Sequence, residues 1–171
     1  MNRRLFLALL PAALAAGCGF QLRRLDGIPF ASLYVDAPPD SAVAQRLRNA
    51  LKANKSTRLA ATADEAEVVL KLGQEARSKT ILSLSGAGRV TEYRLGLRLS
   101  YSVSGKDGRS WAAAETIELT RGMTYDDSRL LAKSSEEQLL YRDMEDSAVL
   151  RILRRLQSIK PGNGTEPKNR S

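Results

Sequence analysis

Of the side chains that carry out most protein chemistry, this sequence of 171 residues offers one cysteine, Cys18, and no histidine. Triads built on imidazole and the usual zinc sites are thereby excluded, and no Ser-x-x-Lys pair occurs. Two carboxylate pairs, Asp126 with Asp127 and Glu136 with Glu137, have the type needed for acid/base hydrolysis of a glycan. No other feature selects either pair. Glu136 and Glu137 fall in the expected first turn of a helix, where the macrodipole favours negative charge. "GAGRVT" at 86–91 begins like a dinucleotide fingerprint, but its third glycine is missing and a strand follows where a helix is required. A hairpin turn is the expectation there. The chain is therefore expected not to be an enzyme, with no catalytic residue, no metal and no cofactor.

What remains is base. Lys and Arg number 27 against 19 Asp and Glu, a net charge of +8, and the excess is still +6 when Arg3 and Arg4 are set aside. Such a surface attracts anions without choosing among nucleic acid, acidic membrane and phosphorylated glycolipid. Four bases fall at expected turns: Arg77 and Lys79 between two strand segments, Arg89 in the hairpin "SGAGR", and Lys133 just before the last helix. Bases at turns usually serve solvation; gathered at one sheet edge they would form an anion site.

The elements that would position them follow from periodicity. "SLYVD" (32–36) alternates as a strand and stops at "APPD". Asp40 or Ser41 can cap a helix carrying Val43, Ala44, Leu47, Ala50 and Leu51 on one face. Residues 66–76 alternate around Val68, Leu70 and Leu72, and 79–85 through Ile81 or Leu82 and Leu84; the two could be one long, bent strand. Tyr93, Leu95, Leu97, Leu99, Tyr101 and Val103 make one apolar face of a long strand. After the loop "GKDGR", Trp111, Ala113, Ile117 and Leu119 make another, interrupted by Glu115, which reads as an edge position. Ser134 and Glu137, three apart, form a capping box for a helix of about six turns running to Leu156. Strands grouped between helices imply an α+β fold, a four-stranded mixed sheet with two helices packed on one face.

The N-terminus reads as an address. Arg3 and Arg4 precede "LFLALLPAALAAG", 13 residues that end in small side chains and contain Pro11, as in a signal peptide. A spanning helix needs about 20 apolar residues. "RRLFL" partly matches the twin-arginine pattern, which leaves two export routes open. The small residues before Cys18 resemble a bacterial lipobox, although Ala15 stands where that pattern favours Leu. The resemblance implies lipid attachment at Cys18, and several acyl chains would anchor the protein stably. Gly19, in place of an Asp that would resemble an inner-membrane retention signal, favours the outer membrane. The expected organisation is a signal peptide at 1–17, a lipidated tether at 18–31, one domain at 32–159 and a disordered tail at 160–171. Export makes nucleic acid an implausible partner.

Four stretches resemble the LptE family of lipopolysaccharide-assembly lipoproteins: "CGFQLR" from Cys18, "TEYRL" at 91–95, "LLAKSSEEQLLYRDM" at 130–144, and "ILRRL" near the end of the helix. The resemblance implies a lipid-anchored protein on the periplasmic face of the outer membrane. Such a protein plugs and helps assemble the β-barrel LptD, and binds lipopolysaccharide during its transfer to the surface. It implies two helices on a four-stranded sheet. The family's lysine before the last helix falls on Lys133; its loop arginine falls on Gly86, with Arg89 three residues away as a substitute. Phosphates of lipid A would draw both bases through charge-assisted bonds. A free-standing, lipid-anchored binder of anionic lipid or glycan, without a barrel partner, is the alternative. A glycan hydrolase using Glu136 or Asp126 is the third.

Overall fold

A computed structural model of the chain describes residues 27–53 and 57–159. Cys18, the expected signal peptide, most of the tether and the tail lie outside the described residues. The order is β1 (Ser32–Asp36), α1 (Ala42–Ala53), β2 (Arg58–Leu59), β3 (Val68–Leu72), β4 (Ala76–Leu84), β5 (Val90–Gly105), β6 (Ser110–Thr124), a 3-10 turn (Asp127–Arg129) and α2 (Leu130–Ser158).

Helix α1 begins where Ser41 Oγ accepts the Ala44 N–H at 2.9 Å, and Glu75 Oε1 accepts the Val43 N–H at 3.0 Å. Two of the helix's orphan donors are thus satisfied, one by the expected cap and one from the chain before β4. Val43, Ala44, Leu47 and Leu51 are buried.

The sheet is mixed. β1 runs parallel to β2 and β3, whereas β5 is antiparallel to β3, β4 and β6. β6 pairs with β5 from Glu92 to Ser104, so it fills one edge of that strand. The other edge holds β4 against Val90–Arg98 and β3 against Tyr101–Gly105, end to end. The Gly73 N–H still donates to the Ser100 carbonyl at 2.8 Å in the gap between them. One bent strand was thus a fair expectation, with its bend at 73–75.

The α+β class and the one-sided placement of the helices hold. Leu95, Leu97, Leu99, Tyr101 and Val103 of β5 are buried as the alternation requires, together with Val68, Leu70 and Leu72 of β3. Leu47, Met144, Ile152 and Leu156 close the core from the helices. Ile28 and Phe30 are also buried, so the folded part reaches back into the segment read as tether.

Several details differ from the expectation. Six strands replace four, because the two-residue β2 joins the edge and the bent strand counts as two. Ile81, Leu82 and Leu84 are exposed; they lie past Arg77, Ser78 and Lys79, where α2 meets β4. On β6, Ala112 rather than Ala113 is buried, and Trp111 is only half-buried. A bulge against Tyr101–Val103 shifts the side-chain parity before Ile117. Helix α2 starts at Leu130, not Ser134, because Asp126 accepts the Ser128 N–H at 3.0 Å and starts the helical run earlier. Ser134 and Glu137 are consequently interior helix residues and form no capping box.

Candidate functional site

Arg77 and Lys79 sit within β4 rather than in a turn, since the chain bends at 73–75 and resumes pairing at Ala76. Their register partners are Leu97 and Leu95, so both bases point to the helix-covered face. There they meet the carboxylates of α2. Arg77 Nη2 lies 2.5 Å from Glu145 Oε1, and Arg46 Nε of α1 lies 2.9 Å from Glu145 Oε2. Glu145 thus joins α1, β4 and α2 through a side chain that is 4% exposed. Burial works against the charge of Arg46, but the bonds and charges of Glu145 and Asp146 outweigh it and raise its pKa.

About two turns towards the start of α2, Lys79 Nζ donates to Glu137 Oε2 at 2.6 Å. The same ammonium stands 4.5 Å from the centre of the Tyr93 ring and 5.9 Å from that of Tyr125. The bond to Glu137, with the charge of that carboxylate, raises the Lys79 pKa despite partial burial. Tyr141 donates its hydroxyl to the Ser78 carbonyl at 2.8 Å, and burial pushes its phenol up. Arg77 also lies over the Tyr141 ring at 5.0 Å. Above these pairs, α1 and α2 border a polar groove of about 800 Å³.

Arg89 and Lys133 lie at the far end of the molecule. The β4–β5 turn closes with Ser85 N–H donating to the Arg89 carbonyl at 2.7 Å, and Gly88 takes φ +76°, which favours glycine. The Tyr125 N–H donates to the Thr91 carbonyl at 2.8 Å and so brings the end of β6 beside this hairpin. Arg89, Tyr125, Asp126 and Ser128 line a shallow concavity of about 790 Å³. Lys133 stands in the first turns of α2, not before it, because the helix starts earlier. Its Nζ lies 2.8 Å from Glu136 Oε2 and 3.0 Å from Thr124 Oγ1, and its side chain is 13% exposed. Asp126 is held below the ordinary carboxylate range by the hydroxyl and N–H of Ser128, helped by the charges of Arg129 and Lys133.

Three of the four carboxylates weighed for hydrolysis have structural partners, and Asp127 sits exposed in the 3-10 turn. Asp126 caps the 3-10 turn, Glu136 holds Lys133, and Glu137 holds Lys79. Glu115 accepts from the Tyr101 hydroxyl at 2.7 Å and lies 2.8 Å from Arg155 Nε. Burial, then Glu115 itself, pushes the Tyr101 phenol far up. Among the described residues no group of three or more Cys, Asp or Glu could hold a metal ion. Sequence reasoning missed Glu145 and Arg46. The trace they leave is an acid on the buried stripe of α2, in the row Tyr141, Glu145, Val149 at four-residue spacing.

Two helices on one face of a mixed sheet, with ionisable groups that tie the elements together, define a small α+β domain. Residues 30–156 match the model of the LptE family, described as lipopolysaccharide-assembly, and the chain belongs to that family. The LPS-assembly lipoprotein LptE of Photorhabdus laumondii is 27% identical over 164 residues, 93% of this chain and 88% of that one. The solution structure of lipoprotein B from Nitrosomonas europaea is 32% identical with a TM-score of 0.71, over 82% of this chain and 92% of that one. The crystal structure of rare lipoprotein B from Shewanella oneidensis is 28% identical with a TM-score of 0.65, over 74% and 94%.

Proposed function

We propose that the protein acts in lipopolysaccharide assembly as a lipid-anchored subunit at the periplasmic face of the outer membrane. There it plugs and helps assemble an LptD β-barrel and binds lipopolysaccharide on its way to the surface. The observation that carries this reading is the family match, which runs from residue 30 through the whole sheet and into the last turns of α2. Cys18 is the lipid attachment point, and the acyl chains it carries hold the domain at the membrane; each buried methylene contributes about 0.8 kcal/mol.

Lys133 and Arg89 are the proposed lipopolysaccharide contacts. The location of both at the hairpin end supports a shared anion site, with Lys133 beside Thr124 and Arg89 in the adjoining concavity. Glu136 now holds the Lys133 ammonium, so a lipid phosphate would have to displace a carboxylate that is itself 43% exposed. The Lys133 side chain is mostly covered, but its carboxylate partner is open to water and free to swing away, which is what such an exchange requires.

Depletion of the protein, followed by assay of surface lipopolysaccharide and of barrel maturation, tests the reading. Both should fall; a protein that purifies alone from detergent, with no barrel attached, would sink the plug. Binding assays on the purified domain test the site. Lys133→Glu should weaken lipopolysaccharide binding and leave barrel assembly intact, whereas Glu136→Gln should strengthen binding by removing the competing carboxylate. Cys18→Ala should leave the precursor uncleaved or mislocalised.

A further inference from the structure

One stripe of α2 changes character along its length. Residues seven apart point in nearly the same direction on a helix, so Gln138 and Glu145 lie in line with Ile152, and Arg142 in line with Val149 and Leu156. Val149, Ile152 and Leu156 are buried in the core. Nearer the start of the helix the same rows carry an amide, a carboxylate and a guanidinium, and these border the groove of about 800 Å³ opposite Gln45 and Arg46 of α1. Small-ligand sites span about 300–1,000 Å³.

Glu145, 4% exposed, lies at the base of the groove and accepts from Arg46 Nε and Arg77 Nη2. It fixes both guanidiniums by one edge. Arg46 gives Nη1 to Asp146, which leaves its Nη2, and Nε and Nη1 of Arg77, without a partner among the described residues. Glu137 is taken by Lys79. Arg142 is exposed and forms no ion pair among the described residues, so it carries the positive charge that no carboxylate there answers. Gln45 and Gln138 are exposed as well, and neither side chain makes a hydrogen bond among the described residues.

We propose that this groove binds a sugar bearing an acidic group, a phosphate or a carboxylate. Arg142 supplies charge-assisted bonds to the acid, with the open N–H groups of Arg46 and Arg77 along the same groove. The amides of Gln45 and Gln138 donate and accept at once, which is what sugar hydroxyls require. An apolar ligand would strip water from these groups and return nothing. A strand with a charge on every unit, such as a nucleic acid, would meet the carboxylates of Glu137 and Asp146, whereas one acid among hydroxyls does not. The groove is separate from the lipopolysaccharide contacts proposed at Lys133 and Arg89, and does not depend on them.

A free sugar phosphate and the headgroup of a glycolipid share this chemistry. The test is amide NMR titration of the full-length lipoprotein in neutral detergent, with glucose 1-phosphate and the phosphorylated oligosaccharide released from lipopolysaccharide by deacylation as probes. Maltose and inorganic phosphate are the comparisons. At least one acidic sugar should shift amides of 45–49 and 138–145 and bind about tenfold tighter than either comparison. Shifts from the oligosaccharide alone assign the groove to a glycolipid headgroup; shifts from glucose 1-phosphate assign it to acidic sugars in general. Arg142→Gln should weaken binding about tenfold and Gln138→Ala several-fold, both with an unchanged thermal melt. Arg151→Gln removes the same charge nine residues on, from the opposite side of α2, and should leave binding as it was. The proposal fails if neither acidic sugar binds, if maltose or inorganic phosphate binds as tightly, or if the shifts are confined to 85–91 and 124–133. It fails equally if Arg142→Gln costs no more than Arg151→Gln.

Discussion

The two halves of α2 are fixed by different forces. From Tyr141 to Leu156 the helix buries Tyr141, Met144, Ala148, Val149, Ile152, Leu153 and Leu156 against the sheet and α1. From Leu130 to Leu140 it buries no side chain fully, and it leaves Leu130 60%, Leu131 87% and Leu139 61% exposed. That half is held by Lys79 on Glu137, a pair 58 residues apart in sequence, with Glu145 at the junction taking Arg77 from 68 residues away. A continuous helix can therefore be rigid packing at one end and a charge-tethered arm at the other. The loosely held half carries Lys133, and it sits beside the hairpin that carries Arg89.

Ile152→Ala should break the packed half and have the largest effect. Ile152 is fully buried, and deleting most of such a side chain costs about 2–5 kcal/mol through lost transfer energy and the cavity left behind. Urea denaturation measures it. A loss under about 1 kcal/mol would mean that the site collapses freely and that the core is less tightly packed than the contacts indicate. Glu145→Ala comes next, at about 1–3 kcal/mol, because it leaves two guanidiniums without their shared acceptor in a half-covered site. A double-mutant cycle with Arg77→Ala should return a coupling well above zero; no coupling would reduce the hub to coincidental proximity.

This division also explains what the sequence could show. Burial in β5 and in the second half of α2 was legible because a single period, 2.0 or 3.6, decides which side chains face the core. Arg77 and Lys79 were misplaced into a turn because the break in the bent strand falls at 73–75, three residues that alternate no worse than their neighbours. The start of α2 was misplaced for a similar reason. Ser134 and Glu137 imitate a capping box, while the real start depends on the Asp126 side chain folding back on Ser128. Long-range ion pairs leave no period at all, so the site was legible only as a list of bases. Glu145 on the apolar stripe was the one visible trace of the hub.

Lys79→Met should sharpen the comparison at the charged half, with a stability loss of about 1 kcal/mol at neutral pH from the lost ion pair and cation–π contacts. Its pH dependence is specific. The folded pKa of Lys79 is raised, chiefly by the bond to Glu137, so its contribution is fully present below the unfolded value of about 10.4 and is lost as pH climbs through the folded one. The gap between wild type and Lys79→Met should thus stay constant from neutral pH upward and close only in strong base. A gap that persists unchanged into strong base would place the contribution in the apolar stem of Lys79 and not in its charge.

The smallest effect belongs to Leu131→Ser. Leu131 is 87% exposed, so removing its side chain should change stability by less than about 0.5 kcal/mol. Hydrogen exchange separates the halves more finely than melting does. Amides of 131–139 should exchange through local opening, well before those of 144–156, whose protection should approach that of global unfolding. Lys79→Met should speed exchange in the first set and leave the second nearly untouched, because the apolar stripe holds the second without help from β4. If both sets respond alike, α2 opens as one unit, and the arm carrying Lys133 has no mobility of its own with which to exchange Glu136 for a lipid phosphate.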